Sequence, residues 1–183
     1  MRLRSLTLLA ALFACTLPMM ADATYTYTGK DFTQVVAPYT TADSISGTIT
    51  VASTLADNLA YGVITVSSFT FSDGVQTLTT ANTNFDEFLV STDANGNIVN
   101  WSVMVEDAAG DEMAFINHGS MVSDLSLSTI GGFSFGSNSR TRGEWALDAP
   151  TAPAVPEPST LALLGTGVLG LVGAGRRRFT RGQ

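Results

Sequence analysis

Between Thr24 and Leu147 apolar and polar residues alternate, turn residues recur at short intervals, and no stretch carries a helical repeat. A period of two sends successive side chains to opposite faces of a strand, which confines this body to an all-β fold. Ile45, Gly47, Ile49 and Val51 share one face, with Ser46, Thr48 and Thr50 on the other. Tyr61, Val63, Thr65, Ser67, Phe69 and Phe71 share a parity, and Asp73-Gly74 supplies a turn that returns the chain through 75–79. A second hairpin leads from 88–92 through Ala94-Asn95-Gly96-Asn97 to Val99, Trp101, Val103 and Val105, again of one parity. Ala108-Ala109-Gly110 then joins Val105 to the run 113–117, and shorter runs at 125–127 and 132–135 are placed to close a second sheet. Successive hairpins make a meander, and two such sheets face to face make an antiparallel β-sandwich.

The flanks of this body obey a different solvent. Residues 159–175 are seventeen positions without a charge. As a helix rising ~1.5 Å per residue they reach about 26 Å, near the lower limit for a hydrocarbon core. Arg176, Arg177 and Arg178 follow directly, with Arg181 close behind, and the positive-inside bias holds such a cluster on the cytoplasmic face. At the other end Arg2 and Arg4 precede an apolar run at 6–17, and Ala21-Asp22-Ala23 offers small residues to signal peptidase, which predicts cleavage after Ala23. A lipoprotein box at Leu12-Phe13-Ala14-Cys15 is the alternative, against which stand the bulk of Phe13 and an apolar run that continues past Cys15. Cleavage after Ala23 removes Cys15, the only cysteine, so export proceeds without disulfides.

The expected organisation is a signal peptide at 1–23, a β-sandwich body at 24–147, a Pro-rich linker at 148–158, a transmembrane helix at 159–175 and a basic cytoplasmic tail at 176–183. Pro150, Pro153, Pro156 and Pro158 favour extended geometry in the linker, a spacer of about 30 Å at ~3.1 Å per residue. Ala162, Thr166, Gly170 and Ala174 recur every four residues, which gives a helix one smooth face for close approach of another helix. Helices rich in Gly and Ala also show that spacing by chance.

Val155-Pro156-Glu157-Pro158-Ser159, then LALLGTGVLGLVGAG, then RRRF together resemble the PEP-CTERM sorting signal of Gram-negative bacteria. The resemblance implies processing near Pro156, Glu157 and Pro158 by an exosortase, a membrane-embedded enzyme, in hosts that commonly make exopolysaccharide and live in biofilms or flocs. An uncut single-span anchor satisfies the same stop-transfer physics. TYTYTGKDF from Thr24, SGTITVASTLADN, FTFSDGVQTL and STDANGNIVNWSV are similar to the short all-β bodies that precede such tails, a likeness that names no activity.

Residues 24–155 carry fourteen Asp and Glu against Lys30, Arg140 and Arg142, a balance of 3 minus 14, or −11. Backbone phosphates demand the opposite sign, which excludes a nucleic-acid partner. His118 is the only histidine and no Gly-x-Ser-x-Gly elbow accompanies it, so it reads as a loop residue and not as part of a triad. One His and no mature Cys also argue against zinc.

Asp86-Glu87, Glu106-Asp107 and Asp111-Glu112 are sequence neighbours, and a working carboxylate pair has to form across strands. Around the third turn Glu106 and Asp107 face Asp111 and Glu112, which reads either as a calcium site or as a solvated tip that discourages edge-to-edge pairing. Asp93, Asn95 and Asn97 begin like a calcium loop, but Ile98 and Met104 stand where that loop needs Gly and Glu, so they read as a turn. Trp101 has core parity. Trp145, near Arg142 and Glu144 at the end of the domain, is the better candidate for an exposed sugar platform, although a last-strand tryptophan commonly packs inward.

The expectation is therefore an exported, noncatalytic surface or matrix protein, structural or adhesive in an exopolysaccharide setting, with no cofactor and no metal. Its partners are signal peptidase, the inner membrane before processing, an exosortase and exopolysaccharide. A carbohydrate-binding module for exopolysaccharide is the alternative, and a glycosidase using acidic side chains comes third.

Overall fold

The structure, a computed structural model, describes residues 22–148 and, beyond them, Gly165, which is helical. The chain divides into two units, 1–150 and 151–183. Ala21, the sorting residues Pro156, Glu157 and Pro158, the span 159–175 apart from Gly165, and Arg176, Arg177 and Arg178 lie outside the described residues. Among the described residues no helix is long and apolar enough to cross a membrane.

The body is all-β. In chain order its strands are β1 (Ala23–Thr28), β2 (Gln34–Val36), β3 (Ser46–Val51), β4 (Gly62–Val63), β5 (Ser68–Ser72), β6 (Thr77–Thr79), β7 (Thr83–Thr92), β8 (Ile98–Asp107), β9 (Glu112–His118), β10 (Met121–Ser128), β11 (Ser134–Ser139) and β12 (Glu144–Leu147). They form two antiparallel sheets, one of five strands in the order β12-β1-β3-β5-β6 and one of seven in the order β2-β11-β10-β9-β8-β7-β4. The run from β7 to β11 is a continuous meander. β8 touches both β12 and β6, the two edges of the five-stranded sheet, so it runs across that sheet and the two layers pack crossed.

The core lies between the layers, and alternation builds it. Ile45, Ile49 and Val51 are buried as their parity requires. One row of side chains crosses all five strands of the smaller sheet: Trp145, Tyr27, Gly47, Phe71 and Leu78 are successive register partners. Tyr27, Phe71 and Leu78 are at most 2 % exposed, and each side chain of that size contributes about 1.5–3 kcal/mol by leaving water. Phe115 of β9 meets this row from the other sheet, stacked on Tyr27 at 4.4 Å and edge-on to Phe71 at 4.9 Å.

The turns follow their chemistry. Gly74, Gly96 and Gly110 all take positive φ, at the β5–β6, β7–β8 and β8–β9 connections.

Three details depart from the alternation pattern. The single strand expected over 61–71 is two strands in different sheets: β4 pairs with β7, and β5 with β3. The segment between them changes layer, since Ile64 N–H donates to Phe88 O of one sheet and Ser67 N–H to Thr50 O of the other. In β8, Val99 is 38 % exposed while Ile98 is buried, the reverse of the parity shared with Trp101, Val103 and Val105. Thr92 pairs with Ile98 but Ser91 pairs with Asn100, so a bulge at Val99 shifts the phase. Finally, Leu125 and Leu127 of β10 point outward, and the inward positions are Asp124, Ser126 and Ser128. They extend the same large sheet as the second hairpin instead of closing a separate one.

Candidate functional site

The polar inner face of β10 is answered from the opposite layer. Tyr27 Oη donates to Asp124 Oδ1 at 2.8 Å, Asn138 Nδ2 reaches Asp124 Oδ2 at 3.3 Å and Lys30 O at 2.8 Å. Burial pushes the Asp124 carboxyl above the ordinary carboxylate range, against hydrogen bonds from Tyr27, Asn138 and the Lys30 backbone. The same burial, with Asp124 beside it, drives the Tyr27 phenol far up, so it stays a neutral donor. A second pair repeats the device: Tyr39 Oη donates to the buried Asp73 at 2.7 Å, and Asp73 Oδ1 also accepts from Val75 N and Gln76 N. Both pairs are built as struts between loops and layers, and sequence reasoning did not find them.

The acidic hairpin end forms much as its spacing implies. Glu106 and Glu112 are direct register partners, and Glu112 is pushed up by partial burial and by the Glu106 charge. Asp107 and Asp111, by contrast, are engaged in turns. Asp107 Oδ1 accepts from Ala109 N and Asp111 N, and Asp111 Oδ1 accepts from Thr129 N and Thr129 Oγ1. Asp93 caps its own turn: it accepts from Asn95 N, Asn97 N and Asn97 Nδ2, hydrogen bonds that hold its carboxyl below the usual range. Among the described residues no group of three or more His, Cys, Asp or Glu is placed to hold a metal ion.

His118 is the last residue of β9, exposed, and not in a loop. Tyr61 lies flat against it, with ring centroids 3.8 Å apart and planes within 5°. Trp101 is core, 3 % exposed, as its parity requires.

Trp145 is half-buried and leans inward on Tyr27 at 5.1 Å and on Phe115 at 6.1 Å, so it is a wall between core and surface and not a free platform. Its outer side borders a groove of about 240 Å³, lined by Ile98, Val99, Trp101, Arg142, Glu144 and Trp145 together with Gly143. Gly143 is needed there: a Cβ would collide with the Tyr27 hydroxyl and come within 2.7 Å of Thr28 O. Glu144 pairs with Lys30 at 3.6 Å across the strand ends, on the surface.

Of the processing residues, Ala23 opens β1, buried and opposite Val51. At the other end β12 pairs with β1, Tyr25 opposite Leu147, and Asp148 is still held by its N–H to Thr24 O and by Thr26 Oγ1 to its carboxylate. A family model described as the PEP-CTERM protein-sorting motif matches residues 154–178, from two residues before Pro156 to the last of the clustered arginines. The chain carries a PEP-CTERM sorting motif. It thereby has the signal of an exported protein that is held at the membrane before an exosortase processes it. The matched motif begins six residues after Asp148, the last of the described body residues and one tied to β1. No curated protein and no solved structure matches the chain.

Proposed function

We propose that this protein is a noncatalytic β-sandwich that an exosortase cuts near Pro156, Glu157 and Pro158 and that then serves at the cell surface or in the extracellular matrix as a structural or adhesive component. The observation that carries this reading is the sorting motif at 154–178, joined by a short Pro-rich stretch to a body whose first and last strands pair with each other. A body fastened in this way withstands removal of either terminal segment. The noncatalytic part is supported by His118, which stacks on Tyr61, and by the engagement of Asp93, Asp107 and Asp111 in turns. Intact-mass measurement of the native protein tests the processing. In exosortase-competent cells the chain ends near Pro156 and lacks Arg176, Arg177 and Arg178; recovery with those arginines attached overturns the reading.

A carbohydrate-binding body is the second reading, favoured by the groove beside Trp145. An indole wall with a few polar side chains at its rim is the composition of a small-ligand site.

A further inference from the structure

We infer that the groove between β8 and β12 binds a carboxylated saccharide, a uronate-type sugar; this rests on the carbohydrate-binding reading above. The argument is one of charge placement. The described body has only three basic residues, Lys30, Arg140 and Arg142, among an excess of carboxylates. Two of the three, Lys30 and Arg142, border this groove. Arg142 lines the groove, Arg140 stands two residues before it in the same loop, and Lys30 is tied to Glu144 of the groove rim at 3.6 Å. Lys30 is offset by Glu144 and neighbours Asp31, whereas Arg142 has no ion-pair partner among the described residues and is the charge left to meet an anion in the groove.

Shape and polarity select further. Val99 and the indole of Trp145, backed by the buried Ile98 and Trp101, offer apolar walls to the C–H face of a sugar ring, and exposed Arg142 offers a forked donor matched to a carboxylate. A flat anionic bilayer fits poorly, because three basic side chains on so acidic a domain do not overcome the repulsion of the remainder.

The test is calorimetric titration of the full chain in detergent with hexagalacturonate and with a mannuronate hexamer, each beside its methyl ester, which keeps the sugar and removes the charge. At least one acid binds, added salt weakens it, and its ester binds about tenfold or more weaker. Arg142→Gln, an exposed change, lowers affinity for that acid by about tenfold or more with an unchanged melting temperature. Val99→Glu, which puts a negative charge on the groove wall, has the same effect. Trp145→Ala is a poorer probe because the ring also packs on Tyr27 and Phe115. Equal binding of acid and ester, or full affinity in Arg142→Gln, overturns the acidic ligand and leaves carbohydrate binding standing. Failure of all four sugars to bind overturns both.

Discussion

Tyr27 Oη donates to Asp124 Oδ1 at 2.8 Å through the middle of the sandwich, joining the second strand position of one sheet pair to a carboxylate 97 residues away. Both groups are at most 1 % exposed. The bond therefore matters less for its own strength than for what its loss would leave behind, a buried carboxylate short of a donor. Tyr27→Phe keeps the ring stacked on Phe115 and removes only the hydroxyl. Urea melts at neutral pH should show a loss of about 1–3 kcal/mol. A loss within error would mean that Asp124 is satisfied without Tyr27.

Asp124 and Glu112 both titrate above the ordinary carboxyl range, the first through burial and the second through burial and Glu106. From ordinary carboxyl values, about 4, up to their raised values, the folded state keeps protons that the unfolded chain has released. Stability is therefore full below that window, falls as pH rises through it and levels off above. Asp93, held below the usual range by its turn, acts in the opposite sense: its contribution is present above the ordinary value and is lost as pH falls through the lowered one. Asp124→Asn should flatten the decline in urea midpoint as pH rises above about 4. Because acidification also reduces general repulsion in so acidic a body, the difference between native and variant is the quantity to read. Parallel curves would remove Asp124 as a source of the slope.

Local signals carried far, and partners distant in sequence did not. The faces of 45–51, the turns at Gly74, Gly96 and Gly110 and the core place of Trp101 follow from period and turn chemistry, because each is settled within a few residues. The sorting motif is legible for the same reason: its recognition is linear. The inner face of β10 was not, since Leu125 and Leu127 outrank Asp124 and Ser126 on any hydrophobic scale. Partners far away in sequence, the Tyr27 hydroxyl from another sheet, Asn138 and the Lys30 backbone, make the inward aspartate tolerable. Val99 was misplaced by a bulge of one residue, which composition does not announce. Trp145 was ambiguous because it is both wall and rim, and its corner became a candidate site only when Lys30 was found beside Glu144.

Glu106 and Glu112 face each other across β8 and β9 with no cation between them in the described residues. Like charges directly opposite in an antiparallel pair destabilise by about 0.2–1 kcal/mol. Glu112→Gln should raise stability by that amount at neutral pH and low salt, and the gain should shrink as salt screens the pair. If the pair were instead the working carboxylates of a glycosidase, the same variant would abolish hydrolysis of a polysaccharide that the native protein degrades. Reductometric assay of both proteins beside the melts separates these outcomes.

Gly47 sits in the aromatic row between Tyr27 and Phe71, where the neighbouring strand β5 of the same sheet crowds its Cα. A methyl group there would collide with Thr70 O and lie 2.6 Å from Phe71 Cδ1 and 2.7 Å from Phe71 Cα. The phenylalanine ring can rotate away, but backbone oxygen and Cα cannot without moving β5, and Phe71 also holds Phe115 and Phe88. Overpacking of this kind costs about 1–3 kcal/mol, more than the roughly 0.5–1 kcal/mol that alanine gains over glycine in a strand. Gly47→Ala should therefore lower the melting temperature and, by shifting Phe71, alter the near-UV circular dichroism of the aromatic cluster. Gly110→Ala is the companion variant, at a turn where a Cβ meets nothing within 4 Å but φ is 84°. It should lose about 1 kcal/mol through backbone strain alone and leave the aromatic signal unchanged. An equal near-UV change in both variants would show that the row does not depend on the space at Gly47.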